Sequence, residues 1–195
     1  MHHVFRCCAL SLILGAPVLG GCAAAVVGGA AIGADAAHDR RGFGTVFADR
    51  NIQLSAYGAL NKDKELALRN HVSIVVYNGV MLMVGEVRTA ELKARAERIV
   101  HGFNGVHRLV NDLDVREPEG FWARRRDSLL TARVKTALLD IRTTGFDPTR
   151  VNVTTAHRVV YLLGLVSHAE DDAITAIVRD VNGVERVVKV FEYTD

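Results

Sequence analysis

Eight histidines and three cysteines are the side chains of this sequence best suited to metal binding or nucleophilic chemistry. His2 and His3 sit in an N-terminal stretch that reads as a leader. The others, His38, His71, His101, His107, His157 and His168, form no metal-ligand spacing such as His-Glu-x-x-His. Ser167 and His168 are adjacent, but the pair opens a helix, so Ser167 is predicted to be its N-cap rather than a nucleophile. No Gly-x-Ser-x-Gly elbow is present, and Gly42-Phe43-Gly44 is too short for a phosphate loop. These spacings predict no catalytic site, no metal and no cofactor, and give no reason to expect a small-molecule substrate. The thiols differ from one another. Cys7 and Cys8 lie inside an apolar run from Cys7 to Val18, whereas Cys22 follows it.

That run has the length of a signal-peptide core and is short for a membrane span, with Arg6 as its firm positive charge. Residues 1–21 are therefore expected to be a leader. Its removal leaves about 174 residues, enough for one ordinary domain or two small ones. Only Cys22 then remains, so no internal disulfide is expected to brace the exported chain. Leu19-Gly20-Gly21-Cys22 resembles the lipobox of bacterial lipoproteins: an aliphatic residue, two small ones, and the cysteine whose sulfur takes the diacylglycerol. The resemblance implies lipidation at Cys22, with acyl chains contributing about 0.8 kcal/mol per buried CH₂. Ala23 follows it, and by resemblance to lipoprotein sorting a residue other than Asp there implies the outer membrane, facing the periplasm. Residues 22–46, rich in Gly and Ala, are expected to form a flexible tether. A competing reading joins Ala9 to Ala34 into one uncleaved membrane helix, which the intervening glycines disfavour.

Net charge carries little information. It is +2 for the chain, of which Arg6 supplies one, so no global field would steer it to nucleic acid.

The elements come in two copies. Val72 to Val87 aligns with Val151 to Val166, keeping Val72 with Val151, Val80 with Val159, Gly85 with Gly164 and Val87 with Val166. Ala90-Glu91 matches Ala169-Glu170, Asn104-Gly105-Val106 matches Asn182-Gly183-Val184, and upstream Ala59-Leu60 matches Ala137-Leu138. The period of about seventy-eight residues is too long for a solenoid unit and right for a small domain. Each copy reads as helix, hairpin, helix, strand. Asn78-Gly79 is the hairpin turn of the first copy. The second helix spans Thr89 to His101 with the stripe Leu92, Ala96, Ile99, Val100 and Phe103. In the other copy it spans Ser167 to Val181 with Ala173, Ile174, Ile177, Val178 and Val181. The last strands are predicted over Val106–Val115 and Val184–Tyr193. The four repeated glycines read as fold residues: Gly85 and Gly164 where a side chain would hold a helix off the sheet, Gly105 and Gly183 at the helix-to-strand turn.

Val80-x-Leu82-x-Val84-Gly85 and Asn104-Gly105-Val106, recurring in the second copy, resemble the BON domain. The resemblance implies an α+β fold of two tandem αββαβ units, each a small three-stranded sheet packed on helices, over residues 47–116 and 121–195. Preceded by a lipobox, the pair is similar to the dual-BON outer-membrane lipoproteins.

Both faces of the strands are apolar. Ile74, Leu82 and Val84 are expected to face one way and Val75, Met81 and Met83 the other; Val160 and Leu162 oppose Val159, Tyr161 and Leu163. Helices cover one face only, so the second is expected to pack against the other domain across the short linker Arg116 to Gly120. In the helix that opens the second copy, the core stripe is Leu130, Val134, Ala137, Leu138 and Ile141. Trp122 and Leu129 fall off that stripe, ringed by Arg125, Arg126 and Arg133. Such a face suits an anionic membrane interface; it equally suits a solvated basic face with Trp122 closing a domain contact. The family resemblance implies binding of anionic phospholipid through this helix. The relatives carry a Trp at the position aligned with Leu129, however, and here the Trp is at 122. The alternative is a periplasmic adaptor that docks envelope proteins or peptidoglycan.

Overall fold

The computed structural model describes residues 39–195. The leader, Cys22, His38 and most of the expected tether lie outside the described residues. The first unit runs α1 (Phe43–Lys62), α2 (Lys64–Arg69), β1 (His71–Tyr77), β2 (Val80–Val87), α3 (Ala90–Val100), β3 (Arg108–Val115). The second runs α4 (Phe121–Leu138), a 3-10 turn (Pro148–Arg150), β4 (Asn152–Ala156), β5 (Val159–Leu163), β6 (Leu165–Val166), α5 (His168–Arg179), β7 (Arg186–Lys189), β8 (Glu192–Tyr193). The α+β repeat is as the sequence implies. The helix α1 starts at Phe43, ahead of the boundary expected at 47.

Local chemistry sets the element ends. Asp63 separates α1 from α2 by accepting from the Glu65 and Leu66 amides. Thr89 caps α3 through the Leu92 amide. Ser167 caps α5 in a reciprocal box with Glu170, the role expected of it. In each sheet the hairpin strands are antiparallel, and the strand after the helix joins parallel to the middle one: β1-β2-β3 and β4-β5-β7.

Three readings need correction. Ile74 pairs with Met83 and Val75 with Leu82, so Ile74 shares the helix-facing side with Met81 and Met83 while Val75 joins Leu82 and Val84. The two-residue turn fixes that register, and directly opposed residues share a face. Gly85 matters for strand pairing rather than helix packing: at φ +113° a Cβ there would lie 2.1 Å from the backbone oxygen of His71. The single strand expected over Val184–Tyr193 is broken into β7 and β8, matching the interruption of the middle strand at Gly164 between β5 and β6. A Cβ on Gly164 would lie 3.0 Å from the Arg150 oxygen. The ladder nonetheless continues, with Val190 N donating to Leu162 O at 2.8 Å and Glu192 N to Gly164 O at 3.0 Å.

Three cores result. One lies between the first sheet and its helices, around Leu60, Ile74, Met81, Met83, Leu92 and Val100. Its counterpart contains Leu130, Val134, Leu138, Val160, Leu162, Ile174 and Val178. The third is shared: Tyr77, Val80, Leu82 and Val84 of the first sheet pack with Tyr161, Leu163 and Val190 of the second. The domains meet sheet to sheet, as the two-faced strands require. Each aliphatic side chain buried there contributes about 1.5–3 kcal/mol.

Candidate functional site

Helix α4 follows the linker and has two unlike sides. Leu130, Val134 and Leu138 are buried in the second core, and Ala137 and Ile141 are partly buried at its edge. The opposite side carries Trp122, 79% exposed, and Leu129, 51% exposed. Arg125, Arg126 and Arg133 are exposed with them. Spacings of three, four, seven and eleven from Trp122 put all five on one stripe. Among the described residues none of these three arginines has an acidic partner. Every residue that the sequence analysis placed on this face is therefore at the surface. Trp122 does not close the domain interface.

Sequence reasoning missed Phe121. It is 63% exposed and meets Trp122 edge to face, ring centres 5.3 Å apart. It also missed what holds α4 in place. Asp127, 8% exposed, accepts from the backbone amides of His157 and Arg158 at 2.8 and 3.1 Å. Those two residues form the β4–β5 turn at φ +51° and +61°, conformations that cost side-chain-bearing residues energy. The carboxylate holds the turn in that shape and ties it to α4. Asp49, at the equivalent place in α1, does the same for Asn78 and Gly79 at 2.6 and 2.9 Å. A repeated Asp at matching positions was the available signal.

The segment ahead of α1 is also fixed. The Arg40 guanidinium grips Glu170 at 2.7 and 2.8 Å and reaches the Leu165 oxygen at 2.9 Å. Arg41 bonds Asp39 and Asp49 and lies 3.6 Å over the Tyr77 ring. So the stretch expected to be free tether up to residue 46 is bound from Asp39 onward. It is held by both domains: Arg40 on Glu170 of α5, Arg41 on Asp49 of α1, and Asp39 accepting from the Tyr77 hydroxyl of β1. Burial pushes the Glu170 and Asp39 carboxyls up, but hydrogen bonds from Arg40 and Arg41 outweigh it and hold both below their ordinary values. Burial and the nearby Asp39 charge push the Tyr77 hydroxyl up to about 12.

Paired αββαβ units, the caps and the glycine pattern define the class. The BON-domain family model matches residues 48–117 and 126–195, and the chain belongs to that family. Within it, the chain is similar to the outer membrane lipoprotein DolP of Haemophilus influenzae, 35% identical over 188 residues that cover 95% of this chain and 96% of that one. It is also similar to a 21 kDa hemolysin of Actinobacillus pleuropneumoniae, 31% identical over 155 residues, covering 80% of this chain and 79% of that one. Among the described residues no helix is long and apolar enough to cross a membrane.

Proposed function

We propose that this protein is a non-enzymatic lipoprotein, anchored through Cys22 in the outer membrane and facing the periplasm, whose second BON domain binds anionic phospholipid and so supports envelope integrity. Residues 1–21 are the cleaved leader in this reading. The observation that carries the proposal is the outward stripe of α4, where Trp122 and Leu129 stand exposed among Arg125, Arg126 and Arg133. Insertion of the two apolar groups releases ordered water, and each arginine near an anionic surface adds about 1 kcal/mol.

The test uses the mature chain with Cys22→Ala, which removes the lipid and leaves the domains intact. Cys22→Ala should abolish partitioning into the detergent phase. The lipid-free chain should still co-sediment with phosphatidylglycerol vesicles and not with phosphatidylcholine alone, with a blue shift of Trp122 fluorescence. Equal binding to both vesicles, or to neither, together with retention on purified peptidoglycan, would replace this reading with the adaptor one.

A further inference from the structure

Glu86, near the end of β2, is 3% exposed, yet its Oε2 has no hydrogen-bond partner. His71 Nδ1 and His157 Nε2 are likewise buried without one. These orphan atoms are neighbours. His157 Nε2 lies 2.6 Å from Glu86 Oε1 and 3.7 Å from Glu119 Oε1, and His71 Nδ1 lies 3.3 Å from Glu86 Oε2. The other ring nitrogen of His157, Nδ1, is 2.7 Å from Asp114 Oδ2.

An ionised carboxylate only accepts, so Nδ1 carries the ring proton and donates it to Asp114. With that proton on Nδ1, Nε2 is left as an acceptor 2.6 Å from Glu86 Oε1 and 3.7 Å from Glu119 Oε1. Three acceptor atoms, Glu86 Oε1, Glu119 Oε1 and His157 Nε2, converge. Burying a carboxylate in that state is costly unless a cation supplies the missing charge. A histidine fixed through Nδ1 by a carboxylate, with Nε2 directed at further ligands, is the arrangement that holds an imidazole for a metal. The ligand atoms of Glu86, Glu119 and His157 all fall within 4.8 Å of one another.

We propose that Glu86, Glu119 and His157 bind a zinc-class divalent cation at the junction of the two domains, with Asp114 orienting His157. One imidazole and two carboxylates suit zinc rather than magnesium or calcium, which favour all-oxygen sets. His71 Nδ1 is 3.3 Å from the other Glu86 oxygen, Oε2, and lies outside the ligand set. Tetrahedral coordination at about 2.0–2.2 Å would open the 2.6 Å gap between Glu86 Oε1 and His157 Nε2 to roughly 3.3–3.6 Å. A cleft of about 520 Å³, lined in part by His71, Glu86, Arg124 and Asp127, borders the set on its Glu86 side. Spacing along the chain could not reveal the set, because its members come from β2, the linker and the β4–β5 turn. The cation would join the first domain to the second, and Glu119 lies two residues ahead of α4.

The experiment titrates Zn²⁺ into the full-length protein, purified in detergent and stripped with EDTA, against a chromophoric chelator, with thermal melting in parallel. One equivalent should bind and raise Tm, and Mg²⁺ should do neither. His157→Asn retains a residue suited to positive φ and should weaken zinc binding at least 100-fold. Asp114→Asn should weaken it 10- to 100-fold. His168→Asn, in the exposed His168–Asp195 pair, should bind zinc as the parent does. Unchanged binding in His157→Asn would overturn the proposal, as would loss of binding in His168→Asn. So would an absence of any bound equivalent.

Discussion

Leu129→Asp separates the membrane face of α4 from its core face. Leu129 is 51% exposed, whereas its neighbour Leu130 is 4% exposed. If the exposed half of Leu129 enters the interface, its burial contributes roughly 1–1.5 kcal/mol at about 25 cal/mol per Å². An aspartate there loses that term and adds a like charge against the anionic surface, about 1 kcal/mol more. Together these come to roughly 2–2.5 kcal/mol, or about 30- to 60-fold in partitioning, since about 1.4 kcal/mol is tenfold. Folding should change little, because surface substitutions usually stay within about 0.5 kcal/mol, with a similar cost for aspartate within a helix. Leu130→Asp buries a charge in the second core and should unfold the domain. Vesicle co-sedimentation of the Cys22→Ala chain, with circular dichroism melting of each variant, measures both quantities. Reversing Arg125 and Arg126 to glutamate should weaken binding comparably and flatten its salt dependence. If folded Leu129→Asp binds phosphatidylglycerol vesicles within threefold of its parent, the face is misassigned.

Asp127→Ala should cost about 2–3 kcal/mol by chemical denaturation, because two turn amides lose a charged acceptor at positive φ; a loss below 0.5 kcal/mol, by the same measure on the order of an ordinary surface change, would show that the turn holds itself. Glu170 and Asp171 have depressed carboxyl pKa values despite burial, through Arg40 for the first and through Lys189, Tyr193 and Thr175 for the second. Their stabilisation is thus full above the ordinary values of 4.5 and 3.8 and is lost as pH falls through the depressed ones. Arg40→Ala should move the Glu170 part of that loss to higher pH; superimposable curves of urea midpoint against pH for both proteins would contradict this. The two domains expressed separately should bind a hydrophobic dye and melt below the intact chain, because each would expose its half of the shared sheet-to-sheet core; halves that melt as the whole does would deny that coupling.

Much of the fold was legible because its causes are local. Two copies of one pattern, Asn78-Gly79, the Ser167 cap and the helical stripes each follow from nearest-neighbour backbone preferences and periodicity. The apolar character of both strand faces even implied the domain contact, since one layer of helices cannot cover both. Leu129 and Leu130 were assigned to opposite sides of α4 by spacing alone, and burial agrees. What spacing could not give is anything that depends on residues far apart in the chain. The side on which Ile74 lies follows from the register with β2. The reason for Gly85 is the approach of the His71 oxygen on another strand. His157-Arg158 carries no sequence mark of a tight turn; its shape is imposed by Asp127, a helix residue about thirty positions upstream in an element packed against it. The same holds for Glu86, Glu119 and His157, and for Arg40 on Glu170. Local sequence sets which elements form and which faces are apolar, because those energies act within a few residues. Only the packed chain decides which charges meet, because burial and distance together set the strength of an electrostatic contact, and both are properties of the folded whole.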